Sequence, residues 1–319
     1  MEEWNIPKVY AVRHKKEAVR RESKSGGAFT AISDWALQSN GVVYGCILDK
    51  NLEAVHCRAE DSLQRDKMRG SKYTQSKLGN TFRNVKRDLI NGKRVLFSGC
   101  SCQVAGLNKY LGKTYDNLIC VDIVCHGIPS PRIWRDYLRY RERQFSSKVI
   151  AANFTNKIDY GWRNSIGTLR LANDKRVDSR VYTNLFYNHN ALRPCCYKCP
   201  YKSTIHPGDI TIGDYWGIEK VAPELDDNRG VSLVLINNEK GERIFNLVRD
   251  SLLCRETRLQ DCMQMPLEKP CPEPENRTLF WKDYSEKGFP YIATKYGKAG
   301  LRDLLACKFN KLKRKLKNG

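Results

Sequence analysis

The sequence has no apolar run long enough to cross a bilayer. Its longest, residues 42–48 and 231–236, fall far short of the roughly 20 residues a spanning helix needs. The first residues, Met-Glu-Glu-Trp-Asn and then mixed charges, have no apolar core of a secretory signal. Acidic residues are scarce, 35 against 56 basic, leaving a formal charge of +21. No internal repeat or long low-complexity tract is present, which argues against repeat architectures and wholesale disorder. The dinucleotide fingerprint and the phosphate-binding P-loop are both absent. So are a second C-x-x-C and any H-x₃-H, so a zinc finger of ordinary spacing is excluded. The expectation is a cytoplasmic protein in a reducing setting, with an anionic partner: nucleic acid, lipid headgroups, or a phosphorylated or carboxylated small molecule.

Of the 319 residues, 41% are hydrophobic, enough to build a sizeable core. Thirteen cysteines, an odd number, read as free thiols or metal ligands in such a compartment. Hydrophobic periodicity predicts a helix over 30–38, buried strands at 42–48 and 54–58, and a polar helix over 81–91. Residues 93–99 read as a strand entering a glycine loop, 103–111 as a helix, and 117–124 as the next strand. That order predicts a parallel βαβ unit whose site lies past the strand ends. A charged helix follows at 132–144, then extended segments at 149–154, 165–171, 176–181, 209–212 and 231–237. Residues 8–24 alternate apolar and basic, and 255–290 have no clear pattern. The fold class expected is α/β, a mixed sheet with flanking helices in two sub-regions. The chain divides into 1–92, 93–250 and 251–319.

The sharpest local signal is Pro194-Cys195-Cys196-Tyr197-Lys198-Cys199-Pro200. Cys196 and Cys199 supply two thiolates from one loop, half of a tetrahedral zinc or iron–sulfur site. Cys102 and Cys125, each after a buried strand, are the candidates to complete it; buried structural thiols are the competing reading. Three loops suit a phosphate or flavin: Ser25-Gly26-Gly27 before a helix, Arg69-Gly70-Ser71-Lys72-Tyr73, and Ser98-Gly99 at a strand end. Asp214 and Trp216 form an acidic, aromatic wall suited to a planar ligand, and His126 is a candidate proton donor. The ordinary alternatives are a turn-forming aspartate and a structurally bonded histidine.

Ser-Gly-Gly-Ala-Phe (25–29), Arg-Gly-Ser-Lys-Tyr (69–73) with Gln75-Ser76, Ser-Gly-x-x-Cys-Gln (98–103), Cys-His-Gly (125–127), Cys-x-x-Cys (196–199) and Asp-Ile-Thr-Ile-Gly-Asp-Tyr-Trp-Gly (209–217) occur in this order. Over about residues 8–245 the chain resembles the beta-subunit family of coenzyme F420 hydrogenases and dehydrogenases. The resemblance implies FAD, a 4Fe-4S cluster held by Cys102, Cys125, Cys196 and Cys199, and electron passage to the deazaflavin coenzyme F420 or another organic acceptor. It implies that Cys100, Cys120 and Cys195 are bystanders, and Cys46, Cys57, Cys254, Cys262, Cys271 and Cys307 are expected elsewhere. Many relatives begin with a ferredoxin-like stretch of eight cysteines, whereas the first cysteine here is Cys46. A separate electron donor or acceptor protein is therefore the expected partner, with an anionic small molecule as substrate. Similar bacterial proteins accompany surface-polysaccharide genes. Residues 298–319, with eight Lys or Arg and one Asp, read as a basic amphipathic helix. Its two readings are a peripheral contact with the inner face of a membrane, and a helix packed back on its own domain. The rival to the whole scheme is a protein without redox activity: a zinc-stabilised nucleic-acid binder, or an accessory of glycan assembly. Nucleic acid is not the expected partner.

Overall fold

Continuous apolar runs such as 42–48 and 231–236 demand cover on both faces, as strands inside a parallel or mixed sheet have. The computed structural model, which describes Trp4, residues 6–300, Asp303 and Leu305, provides that cover. Its strands are β1 (Lys8–His14), β2 (Val42–Leu48), β3 (Ala54–Ala59), β4 (Val95–Cys100), β5 (Leu118–Ile123), β6 (Val149–Asn153), β7 (Gly167–Leu171), β8 (Arg176–Ser179), β9 (Ile210–Asp214), β10 (Ser232–Ile236) and β11 (Leu252–Thr257). Eight of them form one mixed sheet in the order β11-β1-β10-β9-β5-β4-β2-β3, and β6-β7-β8 form a second. In the large sheet β2, β4, β5 and β9 run parallel, while the outer strands pair antiparallel.

The expected βαβ unit is present: β4, the helix Ser101–Leu111, then β5 in parallel register from Val95↔Leu118 to Cys100↔Ile123. Alternation along each strand feeds cores on both faces. Leu96 joins Ala31, Ile32 and Phe245 on one face, while Val95 and Phe97 meet Val85, Leu89, Val104 and Leu107 on the other. Each fully buried aliphatic side chain there contributes about 1.5–3 kcal/mol. A third core, rich in aromatics, joins the small sheet to the helices Pro131–Phe145, Val181–Tyr187 and Arg277–Lys295 through Trp134, Tyr137, Tyr182, Phe280 and Phe289.

Two strands were not expected. β1 carries Lys8, Arg13 and His14 among its apolar residues, and β11 is an edge strand with alternating exposure. Nor were the helices Val181–Tyr187, Glu239–Val248 and Arg277–Lys295. The last is broken at Gly288, which takes a positive φ of 73°, and Pro290 follows. The large sheet takes strands from each of the segments 1–92, 93–250 and 251–319, so these are regions of one packed body. The basic helix expected over 298–319 lies almost wholly outside the described residues. At its start Asp303 is buried and accepts from Ser179 Oγ (2.8 Å) and the Arg180 amide (3.0 Å).

The loop before the helix Ala28–Gln38 is stitched to the sheet. Ser25 Oγ donates to Val231 O (2.6 Å), the Gly26 amide to Ser232 Oγ (2.9 Å), and the His14 amide to Gly26 O (2.8 Å). A Cβ on Gly26 would lie 2.2 Å from Val12 O and 2.5 Å from Ser232 N. Gly26 is therefore required by the close approach of backbone to β1 and β10, not by a phosphate. Gly26→Ala should destabilise the fold by at least about 2 kcal/mol in urea unfolding. Gly70→Ala meets nothing within 4 Å and should lose only about 1 kcal/mol to its positive φ. Equal losses would show that close approach does not set the requirement at Gly26.

Candidate functional site

Parallel strands end on a common edge, and the loops beyond that edge are where such sheets build sites. Here β2, β4, β5 and β9 deliver Cys46, Ser98 to Cys100, Ile123 to Cys125, and Ile212 to Asp214 to one cavity of about 660 Å³. Every candidate residue named from the sequence lines it except Gly26 and Cys199. Cys46, expected elsewhere, also lines it.

One wall is the start of the helix Ala28–Gln38. Gly27, at a φ of 99°, is its N-cap and offers no side chain, so the first amides have no side-chain acceptor. Such amides, with the helix dipole, form a cradle for an anion. Arg69 stands beside them, with Nε donating to Thr30 Oγ1 (3.1 Å) and a terminal nitrogen 2.8 Å from Asp66. Lys72 lines the cavity and is also tied to backbone. Its ammonium donates to the carbonyls of Lys67, Met68 and Arg69 at 2.9–3.0 Å. All three protons are thus spent on backbone. Burial pushes its pKa down to about 8. Tyr73 stacks on Phe186 at 4.5 Å, which makes it part of the cavity's aromatic floor. At another wall Trp216, 39% exposed, stacks on buried Trp162 at 4.7 Å, and the Trp162 indole donates to Asp214 (2.9 Å). Lys24 lies 3.7 Å from the same carboxylate.

Thiols line the same cavity. Burial, then the neighbouring thiols of Cys125, Cys199 and Cys195, push Cys102 up to about 11. Burial also pushes Cys196 up to about 12, with Cys125 and Cys195 adding to it. Cys100 stays protonated and donates to Cys125, which that bond and the Lys202 ammonium pull down to about 7 against burial. The thiols of Cys125, Cys199 and Cys195 thus sit close enough to Cys102, and those of Cys125 and Cys195 close enough to Cys196, to oppose ionisation there, the condition a bound metal centre reverses. Cys100 and Cys195, expected as bystanders, line the same cavity. Cys271, expected elsewhere, is not among the residues lining the cavity; its Sγ donates to His126 O at 2.9 Å.

A buried polar node holds these segments together. Asp122 on β5 is fully buried and accepts from Thr211 on β9 (2.5 Å) and from His206 Nδ1 (3.0 Å), which is also 3.2 Å from Ser101 Oγ. Ser101 adjoins Cys102, and His206 ends the loop that carries Cys196 and Cys199. The node therefore couples the positions of the thiols.

Residues 92–261, more than half of the chain, match the family model for the C terminus of the coenzyme F420 hydrogenase/dehydrogenase beta subunit. The chain belongs to this family. Its fold is also that of a chain in the F420-reducing [NiFe] hydrogenase complex from Methanosarcina barkeri, known from a xenon-derivatised structure. That match has a TM-score of 0.54 at 17% identity, covering 80% of this chain and 84% of that one. No curated protein matches. The matched region of this beta-subunit family member contains the four cysteines, the Asp122 node and the Asp214–Trp216 wall. The helix cradle and Arg69 lie before it.

His126 lines the cavity, but its Nε2 is 2.7 Å from His189 Nε2. Burial, then His189 and Lys202, lower its pKa to about 4, so it holds a neutral ring at pH 7. Sequence reasoning missed His189, Arg193, the Phe186–Tyr187 aromatic pair and Gln264 to Pro266. Their chain segments carry no spacing signal.

His56, on β3, gives the cavity a measurable pH response. Its Nε2 lies 3.1 Å from Ser98 O, and burial lowers its pKa to about 4. A folded-state pKa below the unfolded value near 6.5 means acid favours the unfolded chain between those two values. Stability should be complete above about pH 6.5 and fall by about 2 kcal/mol by pH 5 from this residue alone. Urea unfolding at both pH values should show a smaller decline in His56→Asn; an unchanged decline would contradict the assignment.

Proposed function

We propose that this chain is a flavin- and iron–sulfur-dependent oxidoreductase that passes electrons between a separate redox protein and a planar, anionic organic acceptor. Membership of the hydrogenase/dehydrogenase beta-subunit family establishes the redox class. The observation that carries the finer reading is that one cavity is lined both by Cys102, Cys125 and Cys196 and by the start of the helix Ala28–Gln38. A cluster moves single electrons and hydride chemistry moves pairs, so a flavin between them supplies the conversion. Cys102, Cys125, Cys196 and Cys199 would hold the 4Fe-4S cluster as four thiolates. The amides following Gly27, with Arg69, would meet FAD phosphates. Ser98, Gly99, Gly70, Ser71 and Tyr73 would wall the remainder, and Trp216 with Lys24 would receive the acceptor. The deazaflavin coenzyme F420 fits that description as a planar polyanion.

Two features bear on the partner and setting. The similar chain of known structure comes from a hydrogenase complex, which supports a protein electron partner for this one. Among the described residues no helix is long and apolar enough to cross a membrane.

The rival occupant of the four thiolates is zinc, which needs a tighter convergence and absorbs no visible light. Anaerobic purification of the full chain should yield a yellow-brown protein with iron, sulfide and one flavin per chain in the ratio 4:4:1. Cys196→Ser should lose the cluster's iron while keeping flavin, and Arg69→Ala should lose flavin while keeping iron. A colourless protein with one zinc that is removed by Cys196→Ser would overturn the redox reading.

A further inference from the structure

His126, His189 and Cys271 come from three distant stretches of chain: the loop after β5, the turn after the helix Val181–Tyr187, and the segment before the helix Arg277–Lys295. One ligand atom from each lies within 4.8 Å of the other two. The two imidazoles face each other through Nε2 at 2.7 Å. Phe186 and Tyr187 pack on the His126 ring at centroid distances of 5.2 and 5.3 Å. His189 takes a left-handed conformation, φ 64°. Its carbonyl accepts from Tyr197 Oη (2.6 Å) and the Leu192 amide (3.0 Å). Cys271 is fully buried. These contacts aim two ring nitrogens and a sulfur at one small volume.

We propose that these three side chains form a second metal site, separate from the four-cysteine cage, for a divalent ion of the zinc class. Two imidazoles and one thiolate are a borderline donor set that zinc prefers, and three protein ligands leave a fourth position open. The present nitrogen separation is that of a hydrogen bond. Zinc–nitrogen bonds of about 2.0–2.1 Å at a tetrahedral angle need about 3.3 Å, a small opening of the pair. On binding, the Cys271 thiol gives up its proton to solvent, and the proton shared between the rings moves to an outer ring nitrogen. The Lys202 ammonium acts on both imidazoles and on the thiol. It opposes an incoming cation, and the Cys271 thiolate offsets that opposition. The site goes beyond the redox reading and does not require it.

The test uses the full chain, purified anaerobically and treated with a mild chelator, then titrated with zinc ion in equilibrium dialysis. Zinc, iron and sulfide are measured on the same samples. One zinc per chain is expected in the parent protein. His189→Gln and Cys271→Ser should each weaken it by more than about tenfold while iron and sulfide stay constant. His189→Cys, which keeps a ligand, should restore zinc. Cys196→Ser, which lies in the cage, should leave this zinc in place whether or not the cage holds iron. Zinc unchanged in His189→Gln and Cys271→Ser, or lost only with Cys196→Ser, would overturn the proposal and assign the metal to the cage.

Discussion

The Asp122 carboxylate lies in the interior of the large sheet, and the arrangement of the site depends on how it is satisfied. A buried carboxylate is tolerable only with its hydrogen bonds made. Its acceptors are filled by Thr211 from the neighbouring strand β9 and by His206 from the loop that follows the C-x-x-C pair. His206 in turn reaches Ser101, beside Cys102. Three segments that would otherwise be free to splay are therefore fixed relative to β5, which leads into Cys125. The neighbouring Asp209 reinforces the same seam, accepting from the Cys120 amide at 2.8 Å. Register between β5 and β9 and convergence of the thiols follow from one set of buried polar contacts.

That convergence is electrostatically unfavourable on its own. Neighbouring thiols raise the pKa of Cys102 and Cys196, whereas Cys125, with Cys100 and Lys202 beside it, is drawn toward ionisation. A site of this kind stores folding free energy for a metal to release, so metal loading and stability are linked quantities. The helix start that lines the same cavity has the complementary character, with backbone amides and Arg69 presented to an anion. An electron carrier with phosphates and a cluster with thiolate ligands would satisfy the helix start and the thiols separately. The Trp216–Trp162 stack leaves a third surface for a planar molecule. The net charge of +21 favours anionic partners at long range.

Much of the large sheet was legible because its central strands are uninterrupted apolar runs, and β2 was placed to the residue. β1 was not, because Lys8, Arg13 and His14 break the run, although Val9 to Val12 are buried. The helix Arg277–Lys295 was hidden by Gly288 and Pro290, which read as breakers and do break it locally. Motif order named most of the residues that line the cavity, among them Cys102, Cys125, Cys196 and the loops at Gly27, Gly70 and Gly99. Spacing alone found only Cys196 and Cys199. Lys72 lines the cavity as expected, but sequence shows a cation beside a glycine and not the three carbonyls that hold it. Cys271 and His189 were invisible for a different reason: tertiary packing, not chain proximity, sets them beside His126.

The central claim is that Cys102, Cys125, Cys196 and Cys199 close around one iron–sulfur cluster at the common edge of β4 and β5. Anomalous diffraction at the iron absorption edge from crystals of the anaerobically purified chain tests it directly. The account predicts one four-iron cluster enclosed by those four sulfurs, facing the cavity. Absence of iron there, with an anomalous signal at the zinc edge in the same position or iron bound by other residues, would contradict it.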